Sequence, residues 1–170
     1  MKLSGKEIAV FGMLGALMYA SKIALEFLPN VHLLGVFTIS MTIVYRKKAL
    51  YPIYIFVFLL GLFSGFAVWW IPHLYLWTVL WGAAMLLPQN LPDRWKPFVY
   101  MCLCSAHGFL YGTLYAPSQA LFFSLSFRAT VAWIIAGLPW DAVHGISNFF
   151  CGILICPLIM ILRRSEKQYS

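Results

Sequence analysis

Long apolar runs separated by short polar clusters make up almost the whole chain. Several runs approach the roughly 20 residues that an α-helix needs to cross about 30 Å of hydrocarbon. The pattern predicts an all-α membrane protein, a bundle of six transmembrane helices. The predicted spans are residues 8–28, 32–45, 50–67, 73–87, 98–115 and 140–162. The second span is short for a full crossing, so we expect it to start below the outer surface.

The segment 116–138 is apolar enough to suggest a seventh crossing. A seventh crossing would place Arg163 and Arg164 outside, against the tendency of Lys and Arg to stay in the cytoplasm. We therefore predict an outer loop with an interfacial or re-entrant helix and Arg128 near the surface. Pro139 is then expected to open the last span, where its missing N–H costs nothing.

Composition agrees with a membrane protein: 62% of the 170 residues are hydrophobic and 10% are charged, against about 25% charged in soluble domains. We expect residues 1–170 to form one integral membrane domain. The net charge of +7 lies in clusters between apolar runs, which predicts cytoplasmic termini and a lipid bilayer, rather than nucleic acid, as the surroundings. These clusters contain Lys2, Lys6, Arg46, Lys47, Lys48, Arg94, Lys96, Arg163, Arg164 and Lys167.

The chain lacks the motifs of several enzyme and metal-binding classes. Its four cysteines lie within apolar runs and match no zinc spacing, so we interpret them as small core residues. No phosphate-binding loop is present, so any ATP hydrolysis is expected from partner subunits. We predict no cofactor, no metal and no enzymatic activity of the chain itself.

The first span carries small residues four positions apart, at Gly12, Ala16, Ala20 and Ala24. Such a stripe lets another helix approach closely. It is either internal packing or a groove for a partner subunit, and we favour the partner. Near its outer end, Lys22 and Glu26 either neutralise each other or leave Glu26 facing a wet cavity.

Polar and aromatic residues gather at the expected outer ends of the spans. Asp141, His144 and Asn148 share one face of the last span, and ionisable residues inside a membrane indicate a functional site. A single buried His is usually a packing residue, but four at one level favour a small-molecule site. The candidate substrate-binding residues are Glu26, Asn30, His32, His73, Trp77, His107, Tyr111, Tyr115, Trp133, Trp140, Asp141, His144 and Asn148.

The chain resembles a substrate-binding S component of an energy-coupling factor (ECF) vitamin transporter. The resemblance covers the whole chain and lies in three features: six short spans, the Gly12-to-Ala24 stripe, and the stretch AGLPWDAVHGISN at 136–148, which is similar to the start of the sixth helix in many S components. It departs from the nickel and cobalt branch, where a His follows the initial Met, because Lys2 stands there.

The resemblance implies a bacterial cell-membrane protein that binds a water-soluble vitamin or vitamin precursor at its outer face. A transmembrane coupling subunit, docked on the stripe, and two ATPase subunits would then drive its delivery inward. The aromatic residues favour a planar heteroaromatic substrate, and Glu26 and Asp141 would suit a cationic or NH-rich one.

Two other classes are considered from the residues. An intramembrane enzyme would need a nucleophile and a base, but Ser105 and His107 are two positions apart and do not face each other on a helix. A structural or assembly protein would bind no small molecule saturably.

Overall fold

The computed structural model describes residues 3–167 and is all-helical, with no strand within that range. Lys2 lies outside this range. The helices are α1 (Gly5–Ala24), α2 (Leu34–Tyr45), α3 (Leu50–Ser64), α4 (His73–Leu86), α5 (Lys96–Phe109), α6 (Tyr111–Phe122), α7 (Phe127–Cys151) and α8 (Ile155–Lys167). Short 3-10 turns occupy Arg46–Ala49, Val68–Trp70 and Gly152–Leu154.

Helix α2 is the centre of the bundle. Its nine residues 34–42 are all buried, and it packs against α1, α4, α5, α7 and α8. A helix that is apolar on every face is stable only when it is surrounded, which accounts for a 12-residue helix in this position. Two of its three hydroxyls are bonded: Thr42 donates to the carbonyl of Thr38, and Ser40 donates to the carbonyl of Ile155 on α8, whereas the buried Thr38 hydroxyl has no partner among the protein atoms.

The basic clusters meet at one end of the bundle. Lys48 forms an ion pair with Glu7 in the first turn of α1. Arg46, which ends α2 with a φ of 53°, donates to the carbonyl of Met85 near the end of α4. A cavity of about 440 Å³ joins the start of α1 to the end of α8, and another of about 260 Å³ is lined by both Lys96 and Arg163. This gathering is what a positive-inside arrangement requires.

The loop before α5 belongs to the same charged end. Lys96 forms an ion pair with Asp93 at 2.6 Å. The hydrogen bond from Lys96 holds the pKa of the Asp93 carboxyl below its ordinary value.

Three stretches are long and apolar enough to cross a membrane: Gly5–Ala24, Leu34–Ser64 and Phe127–Glu166. The second is two helices joined at Arg46 rather than one rod. The third has 40 residues, and at 1.5 Å per residue it is about 60 Å long, twice the thickness of the hydrocarbon core. Six crossings and cytoplasmic termini stay predictions.

The segment 116–138, predicted to be an outer loop with an interfacial or re-entrant helix, is almost entirely helical, and its place relative to a membrane stays a prediction. Helix α6 continues to Phe122, a turn follows, and α7 begins at Phe127 and packs against α6. Ser126 starts α7 because its hydroxyl accepts a hydrogen bond from the N–H of Ala129, which satisfies one of the free donors of the first turn. Arg128 is exposed.

Pro139 lies inside α7 and does not open a helix, contrary to the prediction. Helix α7 begins after its N-cap Ser126 and continues through Pro139. The predicted span 140–162 is therefore the second half of α7 followed by α8, with the Gly152–Leu154 turn between them.

Other predicted boundaries also shift. Helix α1 stops at Ala24, and Glu26 beyond it pairs with Lys22 at 3.0 Å, which decides between the two interpretations of that pair. Helix α3 stops at Ser64 because Gly65 takes a φ of 93°, which is incompatible with continuing the helix. The predicted fifth span is divided at Leu110 into α5 and α6.

Candidate functional site

All four histidines of the chain belong to one connected set of aromatic rings. They come from four places in the sequence: the loop before α2, the start of α4, the last turn of α5, and α7. We call this set the histidine cluster, and its members are His32, His73, Trp77, His107, Tyr111, Tyr115 and His144.

Tyr111 is the hub of the histidine cluster. Its ring centroid lies 4.8 Å from that of His144, 6.0 Å from His107 and 6.3 Å from Trp77. Its hydroxyl reaches Nε2 of His73 at 3.4 Å. The rings of His32 and His144 meet edge to face at 4.5 Å. The structure thus brings together seven of the residues that the sequence marked as candidates.

Close packing of α5 on α7 places His107 near His144. A Cβ at Gly108 would lie 2.8 Å from the carbonyl oxygen of His144, and one at Gly145 would lie 2.4 Å from the ring of Phe109. Both glycines therefore allow an approach that a side chain would prevent. Ser105 of α5 donates to the carbonyl of Gly145 of α7 at 2.9 Å, which also joins the two helices.

The cluster lies at the end of the bundle opposite the basic residues. His73 is the first residue of α4, whereas Met85, which receives the hydrogen bond from Arg46, is near the end of that helix. His144 precedes Arg163 of α8 by enough helix to cross the hydrocarbon core, since about 20 residues suffice.

Five ring nitrogens of the cluster are buried and have no hydrogen-bond partner among the protein atoms. They are Nδ1 of His32, Nδ1 of His73, Nε1 of Trp77, Nδ1 of His107 and Nε2 of His144. A buried polar group without a partner costs about 1–3 kcal/mol, and native structures contain few. Their concentration among adjoining rings indicates a place where something other than this chain supplies hydrogen bonds.

Asp141 has a structural partner beside the cluster. Its side chain is buried, and its carboxylate accepts the N–H of Gly112 at 3.0 and 3.2 Å. Gly112 is in the first turn of α6, where N–H groups lack helical partners and a negative charge is stabilised. Asp141 therefore holds the start of α6, next to Tyr111.

The predicted face of the last span is confirmed, since Asp141, His144 and Asn148 are all buried on one side of α7. Asn148 donates to the carbonyl of Cys104 at 3.3 Å, while its Oδ1 has no partner among the protein atoms. Ser147 donates to the carbonyl of Asn30 and anchors the loop that carries His32.

Three other candidates lie at the margin or away from the cluster. Trp133 stacks on Tyr115 with centroids 6.1 Å apart, from a part of α7 that was predicted to be a loop. Trp140 is 61% exposed. Glu26 is exposed and paired with Lys22.

Trp69 contacts the histidine cluster but is not among the candidate residues predicted from the sequence. Its ring lies 5.7 Å from that of His73, and its carbonyl accepts the hydroxyl of Tyr115 at 2.9 Å. Because paired tryptophans such as Trp69 and Trp70 are typical of an interfacial belt, their pattern offered no reason to assign Trp69 to the cluster. The one available signal was the four-residue spacing from Trp69 to His73.

The small-residue stripe faces away from the bundle. Ala16, Ala20 and Ala24 are exposed, and a Cβ at Gly12 would meet nothing within 4 Å. The opposite face of α1 is buried against α3, where a Cβ at Gly15 would collide with Ile55. Within the described residues, no group of three or more His, Cys, Asp or Glu side chains is arranged to hold a metal ion, and all four cysteines are free.

No protein-family profile, no curated protein and no solved structure matches the chain.

Replacing Asp141 tests its hold on α6. Asp141→Ala removes the acceptor for the N–H of Gly112, so we expect a loss of about 1–3 kcal/mol in unfolding free energy. Asp141→Asn keeps an oxygen acceptor and should lose less. Thermal unfolding of the purified variants measures both, with Trp140→Phe on the same helix as the exposed control. Equal stability of all three variants and the wild type would show that this contact does not support α6.

Proposed function

We propose that the protein is the substrate-binding membrane subunit of an ATP-driven micronutrient importer, similar to an ECF S component. It binds a small water-soluble vitamin or precursor in the histidine cluster and delivers it through separate coupling and ATPase subunits. The observation that carries this proposal is the set of five unpartnered ring nitrogens among adjoining rings.

Hydrophobic packing alone does not account for the composition of the cluster. Apolar rings of similar size would fill the same space without leaving polar atoms unsatisfied. A bound molecule that hydrogen-bonds to these nitrogens would recover the cost of burying them, while the aromatic faces would contribute apolar contact and stacking. Mostly apolar walls with a few convergent polar groups are typical of small-molecule sites.

The distribution of polar groups supports binding rather than conduction. A pore needs polar lining along its whole length, and a proton relay needs ionisable groups through the membrane. Here the rings gather at one end, and the centre of the bundle is filled by the buried apolar helix α2. Under the positive-inside rule, the end opposite the basic clusters is the outer end, where an importer collects its substrate.

The outward stripe on α1 supports delivery through a partner. The small side chains lie on an unburied face of α1, whose buried residues pack against α3 and α2. In a membrane, shallow grooves of small residues favour close helix–helix association. A transmembrane coupling subunit is the partner that this proposal requires, and its association would transmit the work of two ATPases.

Native mass spectrometry tests the binding proposal directly. The protein, purified in mild detergent from bacterial membranes, should carry a small molecule released on unfolding. Trp77→Phe removes the one ring nitrogen of Trp77 and His144→Phe removes both nitrogens of His144, while each keeps a planar ring, so each should reduce the retained fraction by about tenfold or more. The exposed Trp95→Phe should retain it fully. Folded wild type without a retained molecule, or equal retention by every variant, would contradict the proposal.

A second test concerns the stripe. Ala16→Trp and Ala20→Trp should prevent association with the coupling subunit, measured by co-purification, because a bulky ring blocks close helix approach. Both should leave the retained small molecule unchanged. Leu62→Trp on the exposed face of α3 is the matched control. Co-purification that survives both α1 replacements would remove the stripe as the docking surface.

A further inference from the structure

We infer that the molecule held in the histidine cluster has a planar ring with a hydrogen-bond acceptor and a hydrogen-bond donor on the same edge, the acceptor facing Trp77 and the donor facing His107. This inference rests on the proposed function and specifies the substrate class of the same site. It comes from the roles that two neighbouring ring nitrogens are able to take.

Trp77 requires an acceptor. The indole N–H only donates, the residue is 1% exposed, and its Nε1 has no partner among the protein atoms. Two other tryptophans that approach the bundle interior provide a comparison. Trp70 donates to the carbonyl of Val57 at 2.7 Å and Trp81 donates to the carbonyl of Arg46 at 3.1 Å. The indole N–H groups of Trp70 and Trp81 are thus hydrogen-bonded to the protein, whereas that of Trp77 is not.

His107 requires a donor. Its Nε2 lies 3.1 Å from the carbonyl oxygen of Leu76. A carbonyl only accepts, so this contact places the proton on Nε2 and leaves Nδ1 of the neutral ring as an acceptor. That Nδ1 is buried and has no partner among the protein atoms. The hydrogen bond to Leu76 therefore decides which role His107 offers to a ligand.

The two groups are close enough to share one ligand edge. Their ring centroids lie 5.6 Å apart with planes tilted by 38°. Tyr111 contacts both rings and covers them from α6. Helices α5 and α6 are separated at Leu110, directly before Tyr111.

No carboxylate lies among the groups assigned to the donor–acceptor edge of the ligand. The expectation of a cationic or NH-rich substrate therefore changes. Asp141 accepts from Gly112, and Glu26 is exposed and paired with Lys22. A purely cationic edge presents donors only and would leave the Trp77 N–H unsatisfied. A matched donor and acceptor satisfy both nitrogens without a net charge.

Four six-membered rings test the inference: benzene with neither group, aniline with a donor, pyrimidine with acceptors, and 2-aminopyrimidine with both on one edge. They are titrated calorimetrically into the full chain in lipid nanodiscs, and the signal of empty nanodiscs is subtracted. The wild type should bind 2-aminopyrimidine about tenfold more tightly than each of the others, because each lacks at least one hydrogen bond to a buried atom.

Two variants assign the preference to individual nitrogens. Trp77→Phe removes the donor, so the preference over aniline should disappear while that over pyrimidine remains. His107→Phe keeps a planar ring but has no nitrogen to accept the donor of the ligand, so the preference over pyrimidine should disappear while that over aniline remains. Trp95→Phe should keep both preferences. Elution profile and melting temperature report folding of each variant.

Equal affinity for the four rings in the wild type would overturn the inference even if neither variant folds. Preferences that survive in folded Trp77→Phe and His107→Phe would also overturn it. A retained natural compound without a donor–acceptor edge would overturn it too, while still supporting the proposed function, so the two failures are distinguishable.

Discussion

The constraint on which this structure depends is the need of buried polar atoms for hydrogen bonds. Most of the interior meets it from within: Thr42, Ser40, Ser105 and Trp70 all bond to backbone carbonyls. The histidine cluster meets it incompletely, with five ring nitrogens left without partners among the protein atoms. Since a buried polar group costs least when it is paired, this local departure is the feature of the bundle that most needs a functional explanation.

The two ends of the bundle have different chemistry, and α2 separates them. At one end, basic side chains pair with Glu7 and Asp93 or cap carbonyls such as that of Met85. At the other end, neutral polar rings meet, and Asp141 is held by the start of α6. Residues 34–42 of α2, all of them buried, lie in the interior of the bundle. This division suits a protein that holds a molecule at one face and relies on partners to move it.

The sequence predicted the parts of the structure that depend on local pattern. Periodic spacing placed Asp141, His144 and Asn148 on one buried face and assembled His73, Trp77, His107 and Tyr111 as candidates. The Lys and Arg clusters indicated their common end because charge avoids the apolar interior.

Features that depend on long-range contacts were not predictable in the same way. The hydrogen bond from Gly112 to Asp141 joins positions 29 residues apart, so the sequence could not show that this carboxylate is occupied. The proline at 139 suggested a helix start, but capping by Ser126 extends the helix across it. The charge rule argued against a seventh crossing and led to an outer loop with an interfacial or re-entrant helix at 116–138, but it could not show that this segment forms two helices, α6 and the start of α7, that pack on each other.

The most direct test of the central claim is an experimental density map of the full chain as purified in lipid nanodiscs, at a resolution that distinguishes water from a planar ring. We predict a planar non-protein molecule within hydrogen-bonding distance of Trp77 Nε1 and His107 Nδ1. Isolated waters at those nitrogens, or rearranged protein groups bonded to them, would contradict it.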